Sequence, residues 1–452
     1  MFEKVLVANR ATAATRVIRA LRSLGVRSVA VYSEADRDLP AVAEADEAFP
    51  LGPAPARDSY LNQDRILAIA RAAGVDGLHP GYGFLSENPD FARAVEAAGI
   101  RFIGPDWRSI AAMGHKSRAR ELMARHGMPM SPSSAILGAD ADAALDEARA
   151  LGFPVMIKPA GGGGGIGMMA VSDEAGFPAA LARARSLAER SFASSELYLE
   201  RLMLRPRHIE FQIIADSHGD VRHLFERDCS VQRRHQKVIE ESPAPGIAAE
   251  DLRAAAANVT ASVAAAGYTN IGTVETLYTP GTGFSFLEMN TRLQVEHAVT
   301  EEVTGIDIVA AQIRLAAGAR LAAVLPDPVR RQGHAIQARI YAEDPVRFFP
   351  SPGPLTVFRP PAGPGIRVET GYREGNLVTP HYDPMIAKVI AHAADRPAAI
   401  ATLAEALRGF EIAGLKTNTP FILAVQGSEG FAGGQAKDSL AGRCIPGWRR
   451  RC

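Results

Sequence analysis

With 452 residues the chain is too long for one ordinary core, and about 150 residues per domain suggests roughly three domains. Fifty basic and fifty acidic residues cancel, leaving no whole-molecule field to favour nucleic acid or an anionic membrane. No apolar segment is long enough to span a bilayer, the Met-Phe-Glu-Lys start is not a basic secretory leader, and Cys229, Cys444 and Cys452 suit neither disulfides nor zinc, so a cytoplasmic location is expected.

Residues 4 to 8 (Lys-Val-Leu-Val-Ala) predict a short apolar strand. Ala13, Val17, Ile18, Leu21 and Leu24 then recur at helical spacing, and Gly25 stops that helix. Ser28 to Ser33 reads as a second strand, Tyr60 to Ala73 as a helix, Asp76 to His79 as a third strand and Pro89 to Ala98 as a third helix. This βαβαβ order predicts a parallel sheet. The turn Asn9-Arg10-Ala11-Thr12-Ala13 lacks G-x-G-x-x-G, which disfavours a nicotinamide dinucleotide. His79-Pro-Gly-Tyr-Gly-Phe-Leu-Ser-Glu-Asn88 sits at a strand's carboxyl end, where open α/β sheets bind ligands; locally its glycines suit a plain turn equally well.

Trp107 to about Gly127 reads as a mostly helical connector carrying Met113-Gly-His-Lys116, and a smaller unit opens near Pro129. In it, Phe153-Pro-Val-Met-Ile-Lys158 is an apolar strand ending in a lysine, followed by five glycines, Gly161 to Gly165. Their unobstructed N–H groups can wrap phosphate oxygens. Lys158 precedes the glycines and Met168 to Val171 looks like a strand, so this is a hairpin tip able to act as a lid, not a Walker A loop.

Leu197 to Glu200 closes the small unit, and Arg207 to Ile214 begins a larger one. The run Gln232-Arg-Arg-His-Gln-Lys237 would ordinarily be a solvated face. Its place between two strand-like segments, ahead of a carboxylate-rich stretch, suggests donors for buried acids. That stretch, Thr273 to His297, reads TVETLYTPGTGFSFLEMNTRLQVEH. Strict alternation would put Phe284, Phe286, Glu288 and Asn290 on one side and Ser285, Leu287 and Met289 on the other. Glu275, Glu288 and Asn290 converging from neighbouring strands make an all-oxygen site suited to a hard cation such as Mg²⁺. Ile306 to Ala317 then reads as a helix, His334 to Ala342 as a strand carrying Arg339, Ala387 to His392 as another strand, and Ala398 to Arg408 as a helix.

Taken together, Val-Leu-Val-Ala-Asn-Arg10, the His79 to Asn88 segment, Lys158 with its glycines, Glu226-Arg-Asp-Cys-Ser-Val-Gln-Arg-Arg-His-Gln-Lys237 and Glu288-Met-Asn-Thr-Arg-Leu-Gln-Val-Glu-His297 resemble the biotin carboxylase family from residue 1 to about 425. The resemblance implies an α/β ATP-grasp fold with an α+β C-terminal part: a pre-ATP-grasp domain over 1–113, an ATP-grasp region over 114–330 with a mobile lid at about 130–203, and a C-terminal domain over 331–446. It implies that bicarbonate attacks the γ-phosphate of MgATP to give carboxyphosphate, and that biotin is then carboxylated. By the same resemblance, Glu275, Glu288 and Asn290 match ligands of Mg²⁺ (or Mn²⁺). Lys116, Lys158, Gly164, Gly165, the hinge Glu200, Arg201, Leu202 and Met203, His208, Gln232 and His235 match nucleotide contacts. Lys237, Arg292, Gln294 and the backbone of Val295 correspond to the bicarbonate cradle, Glu296 to the base, Arg339 to the group that stabilises the biotin enolate, and Tyr82 to a substrate contact.

Three places depart from the family pattern. Arg10-Ala11-Thr12-Ala13 replaces the usual Arg-Gly-Glu-Ile, Ile166 stands where many members carry arginine, and the tail after Gly427 (ending GGQAKDSLAGRCIPGWRRRC) is unlike the usual ending. Ile166-Gly-Met is similar to urea carboxylases, whereas His235 before Gln-Lys favours the acyl-CoA carboxylases, so the resemblance implies the biotin carboxylase component of acetyl-CoA carboxylase or another acyl-CoA carboxylase. A non-catalytic nucleotide-binding scaffold and an ammonia-using ATP-grasp ligase are the other classes considered. With no Met-Lys-Met motif and no carboxyltransferase-sized segment, a separate biotin carboxyl carrier protein and separate carboxyltransferase subunits are expected, together with a homodimer.

Overall fold

The structure is a computed structural model that describes residues 1–160, 167–192, 195–203, 206–233 and 236–434, without the side chains of Ser117 and Phe192. The first sheet is parallel and contains β1 (Lys4–Val7), β2 (Arg27–Ser33), β3 (Glu47–Gly52), β4 (Gly77–His79) and β5 (Arg101–Phe102) in the order β3-β2-β1-β4-β5. Helix α1 (Ala11–Ser23) follows β1 and buries Val17, Ile18 and Leu21, the residues whose spacing predicts it. Gly25 ends it at φ +70. The second helix starts at Gln63 instead of Tyr60, because the Asn62 side chain accepts the Arg65 N–H and fixes the first turn there. Tyr60 is instead fully buried and donates its hydroxyl to Asp36. Strands β3 and β5 carry no alternation or apolar run long enough to be read from the sequence.

Two helices, Trp107–Gly114 and Lys116–Arg125, lead to the small unit. Its sheet is antiparallel in the order β6-β9-β7-β8, with β6 (Ser133–Ile136), β7 (Val155–Pro159), β8 (Met169–Val171) and β9 (Leu197–Arg201). Two helices, Ala141–Leu151 and Phe177–Phe192, cover it and share its apolar core through Ala148, Phe177 and Leu181.

The third sheet positions the site. It is antiparallel and eight-stranded, in the order β14-β13-β10-β11-β12-β15-β20-β18. Its strands are β10 (Arg207–Ala215), β11 (Val221–Arg233), β12 (Gln236–Ser242), β13 (Asn270–Thr279), β14 (Gly283–Asn290) and β15 (His334–Tyr341), followed, after two short strands β16 (Gly353–Pro354) and β17 (Val357–Arg359), by β18 (Ile366–Thr370) and, after β19 (Leu377–Val378), by β20 (Met385–Ala393). Pairing of β12 with β15 sets Ile239 opposite Ala338 and Glu240 opposite Gln337, which joins the carboxyl-terminal strands to the central ones without a break.

The strict alternation expected along β14 fails at one residue. Glu275 pairs with Glu288, but Thr276 pairs with Phe286, so Leu287 is bulged out of register. Phe284, Phe286 and Met289 therefore pack into the core with Phe211, while Leu287, Glu288 and Asn290 face a cleft. A bulge lets one short strand serve both a core and a site. The described part of the run Gln232 to Lys237 also differs from a solvated face: Gln232 pairs with Lys237 and Arg233 with Gln236 across β11 and β12, Gln232 and Arg233 are buried, and Arg233 is paired with Glu343 at 2.7 Å.

Candidate active site

The cleft has a volume of about 480 Å³ and lies between the small unit and the eight-stranded sheet. One wall comes from Lys116, Lys158, the end of β9 at Glu200 and Arg201, and Leu202 and Met203 just after it, with the apolar side chains of Met156, Met168, Leu277 and Leu287. Lys158 donates to Glu200 Oε2 at 2.5 Å, and Arg120 stands 3.6 Å from the other oxygen of that carboxylate. The opposite wall is charged. It contains His208, Gln232, Lys237, Glu275, Glu288, Asn290, Arg292, Gln294, Val295, Glu296 and Arg339. All the sequence-predicted site residues that the structure describes, apart from Tyr82, line this one cleft. Gly164, Gly165, Ile166 and His235 lie outside the described residues, as do Cys444, Cys452 and the tail.

Lys237 is the hub. Its Nζ donates to Glu210 Oε2 at 2.6 Å and to Glu275 Oε1 and Glu296 Oε1 at 2.7 Å each. Burial opposes the ammonium charge, but these three carboxylates outweigh it and raise the Lys237 pKa well above its ordinary value. The same balance acts on Glu296: burial pushes it up, Lys237 first and then Arg339 and Arg227 pull it down, and its pKa ends below the ordinary range. Arg339 donates through Nη2 to Glu296 Oε2 at 2.9 Å and through Nε to Glu240 Oε1 at 2.5 Å. A carboxylate held ionised between two cations, one from β12 and one from β15, therefore sits where those two strands pair.

Arg292 is oriented by three side-chain acceptors, Glu87 Oε2 at 2.7 Å, Gln294 Oε1 at 2.8 Å and Asn290 Oδ1 at 3.0 Å, and by the Leu293 carbonyl at 3.3 Å. Glu87 belongs to the His79–Asn88 segment, where Gly81 and Gly83 take positive φ and Asn88 caps the next helix. The segment is thus both a turn and a support for the cleft. His208 Nε2 lies 2.9 Å from Glu275 Oε2; burial would lower its pKa, but Glu275 leads the groups that push it up to about 9, so the ring is charged at neutral pH.

Glu275 and Glu288 stand opposite each other in the β13–β14 register. Among the described residues Glu288 forms an ion pair with Lys116 alone, at 3.7 Å, and burial followed by the Glu275 charge raises its pKa. A carboxylate short of positive charge, beside a second carboxylate and an amide oxygen, is the donor chemistry a hard divalent cation fits.

Tyr82 lines a second cavity of about 410 Å³ that shares Val295, Arg339, Tyr341 and Asp383 with the cleft. Its hydroxyl is buried without a hydrogen-bond partner among the described residues.

Family models match three consecutive stretches: the biotin carboxylase N-terminal domain over residues 1–110, the ATP-binding domain of the carbamoyl-phosphate synthase L chain over 115–324, and the biotin carboxylase C-terminal domain over 337–440. The chain is 50% identical over 437 residues to biotin carboxylase of Halalkalibacterium halodurans, covering 96% of each chain. The chain belongs to the biotin carboxylase family. It is an ATP-dependent ligase of the ATP-grasp fold. It is also 47% identical over 440 residues to a pyruvate carboxylase subunit of Methanothermobacter thermautotrophicus, covering 96% of this chain and 88% of that one. Among solved structures, the biotin carboxylase domain dimer of Hydrogenobacter thermophilus 2-oxoglutarate carboxylase, in complex with MgADP, ADP and bicarbonate, superposes with a TM-score of 0.92 at 42% identity, covering 97% and 96%.

Several buried groups behind the cleft of this biotin carboxylase family member escape sequence reasoning. Glu210 and Glu240 anchor Lys237 and Arg339. Arg227, with no exposed surface, donates to Glu210 Oε1 at 2.6 Å and to Thr300 Oγ1 at 2.9 Å. A signal for Glu210 was present: His208, Glu210 and Gln212 alternate along β10 with Ile209, Phe211 and Ile213, so the polar set shares one face. Nothing comparable marks Glu240, whose role depends on the β12–β15 pairing.

Proposed function

We propose that the cleft carries out ATP- and bicarbonate-dependent carboxylation of biotin, with phosphoryl transfer and biotin activation on adjoining strands of one sheet. Lys116, Lys158, the Glu200 to Met203 hinge, His208 and Gln232 hold the nucleotide, and Gly164, Gly165 and His235 complete that set. Glu275, Glu288 and Asn290 would hold Mg²⁺ or Mn²⁺, which supplies charge neutralisation between phosphates when bound. Lys237, Arg292, Gln294 and the Val295 backbone place bicarbonate, and Glu296 takes its proton as it attacks the γ-phosphate. Arg339 then faces the biotin ureido oxygen and stabilises the negative charge that develops there. Tyr82 and its cavity suit the apolar body of biotin.

The observation that carries this reading is Glu296 bridged between Lys237 and Arg339, at 2.7 and 2.9 Å. One carboxylate touches the cation of the bicarbonate cradle and the cation assigned to biotin, so both half-reactions fit within one side-chain length.

The biotin belongs to a carrier protein, and separate carboxyltransferase subunits complete the reaction. Two family members that resemble this chain so closely are named for pyruvate and 2-oxoglutarate carboxylases, which supports an acceptor chosen by the transferase and not by this cleft. The dimer of the Hydrogenobacter domain supports a homodimer here. No helix among the described residues is long and apolar enough to cross a membrane, and Cys229 is a buried free thiol; both support the cytoplasm as the place of action.

The test is phosphate release from MgATP by the purified chain. Release that requires bicarbonate and rises with free biotin is the expected result; ATP binding without bicarbonate-dependent release would assign the chain to a scaffold role instead.

A further inference from the structure

The Arg292–Glu296 segment is tied from behind by two buried side chains that do not line the cleft. Lys388 on β20 has no exposed surface, and its Nζ donates to the Val295 carbonyl at 2.8 Å. His297 Nδ1 lies 2.6 Å from the Gln294 carbonyl. A carbonyl only accepts, so Nδ1 carries a proton. Burial, with Lys388 next, holds the imidazole pKa well below its ordinary value, which leaves Nε2 the bare nitrogen of a neutral ring.

These contacts fix the direction of two peptide planes. Both peptides are trans, and in a trans peptide the N–H points opposite to the C=O. With the Gln294 and Val295 carbonyls drawn back toward His297 and Lys388, the N–H groups of Val295 and Glu296 turn the other way, toward the cleft that both residues line. No hydrogen bond among the described residues engages either N–H. Successive N–H groups aimed at one point form a concave seat for an anion.

We propose that Lys388 and His297 are positioning residues that hold the Gln294 and Val295 peptide planes so that the N–H groups of Val295 and Glu296 form the backbone half of the bicarbonate seat. This rests on the functional reading above. A buried ammonium is an expensive way to fill space, and an apolar side chain would pack at lower cost. Lys388 is paired with Glu369 on β18, but Glu369 is also paired with Arg367 and stands 3.4 Å from Arg16. Glu369 would keep two cations without Lys388, so neutralising Glu369 does not by itself account for the lysine. What only Lys388 reaches is the Val295 carbonyl.

The experiment measures KM for bicarbonate and for ATP in wild type, Lys388→Met, His297→Leu and His297→Asn. Asn keeps a donor near the Nδ1 position, and Leu removes it. Expected is a rise of about tenfold in the bicarbonate KM of Lys388→Met and His297→Leu, the scale of one lost carbonyl tether. The ATP KM should be unchanged, and His297→Asn should stay near wild type. A bicarbonate KM unchanged in both tether variants, an equal rise in both KM values, or His297→Asn behaving like His297→Leu would overturn the proposal. If one tether variant fails to fold, the other decides. Wild type without bicarbonate-dependent phosphate release would instead overturn the functional reading itself.

Discussion

Lys237 Nζ stands 2.7 Å from Glu296 Oε1, and the other oxygen of that carboxylate faces Arg339 at 2.9 Å. Glu296→Gln keeps the size of the side chain and removes the proposed base. Bicarbonate-dependent phosphate release should fall by about 10²- to 10⁴-fold, the usual span for a positioned general base. Nucleotide affinity, measured by calorimetric titration, should change little because Glu296 is not among the proposed nucleotide contacts.

Arg339→Ala should separate the two half-reactions. The variant loses the donor proposed to face biotin, while Lys237, Arg292 and Gln294 remain. Slow bicarbonate-dependent ATP hydrolysis should persist and carboxylation of free biotin should disappear; carboxylation equal to wild type would remove Arg339 from its role.

Glu288→Gln tests the metal. The Glu288 carboxylate is paired with Lys116 at 3.7 Å and repels Glu275, so a neutral amide relieves repulsion in the free protein while weakening cation binding. The Mg²⁺ concentration for half-maximal ATP turnover should rise about tenfold or more, on the scale of one lost ligand or its support. Thermal stability without metal should not fall.

His79 supplies a pH signature away from the cleft. Its Nδ1 accepts the Gly81 N–H, so Nε2 is the protonated nitrogen and donates to Gln312 Oε1 at 2.9 Å. Burial lowers its pKa from 6.5 to about 4. The unfolded chain therefore takes up a proton below pH 6.5 that the folded chain refuses, and the stabilisation is full above that pH and is lost as pH falls toward 4. Between pH 7 and pH 5 this amounts to about 2 kcal/mol. Denaturant titrations at the two pH values should show the loss in wild type and a smaller loss in His79→Gln.

Ala11 has φ +45, in the left-handed region that favours glycine. The strain of about 1–2 kcal/mol exceeds the entropy cost of about 0.5–1 kcal/mol that a glycine brings. Ala11→Gly should raise stability by about 0.5–1 kcal/mol, read as a higher denaturation midpoint, with ATP turnover unaffected. A lower midpoint would mean that packing of the Ala11 methyl, which is buried, outweighs the backbone term.

Much of the site was legible because its residues come in local patterns. The sequence brings Glu288, Asn290, Arg292, Gln294 and Glu296 together within nine residues, and a strand-and-loop segment cannot carry them far apart. Helix α1 and strands β1, β2 and β4 were legible for the same reason, since each buries a short periodic apolar set. The bulge at Leu287 was not, because register depends on the partner strand and alternation alone contains no mark of a skipped residue.

The long-range relations needed the tertiary structure. Lys237 and Arg339 are 102 positions apart in the chain and meet on Glu296 because β12 pairs with β15; Glu87 reaches Arg292 across two sheets, and Lys388 reaches the Val295 carbonyl from a strand near the end of the fold. The residue types, their order and the family are fixed by local chemistry that the sequence states outright. Which carboxylate each buried cation neutralises is decided by strand pairing, since desolvated charges must find partners within about 3–4 Å and only the folded sheet brings those partners together.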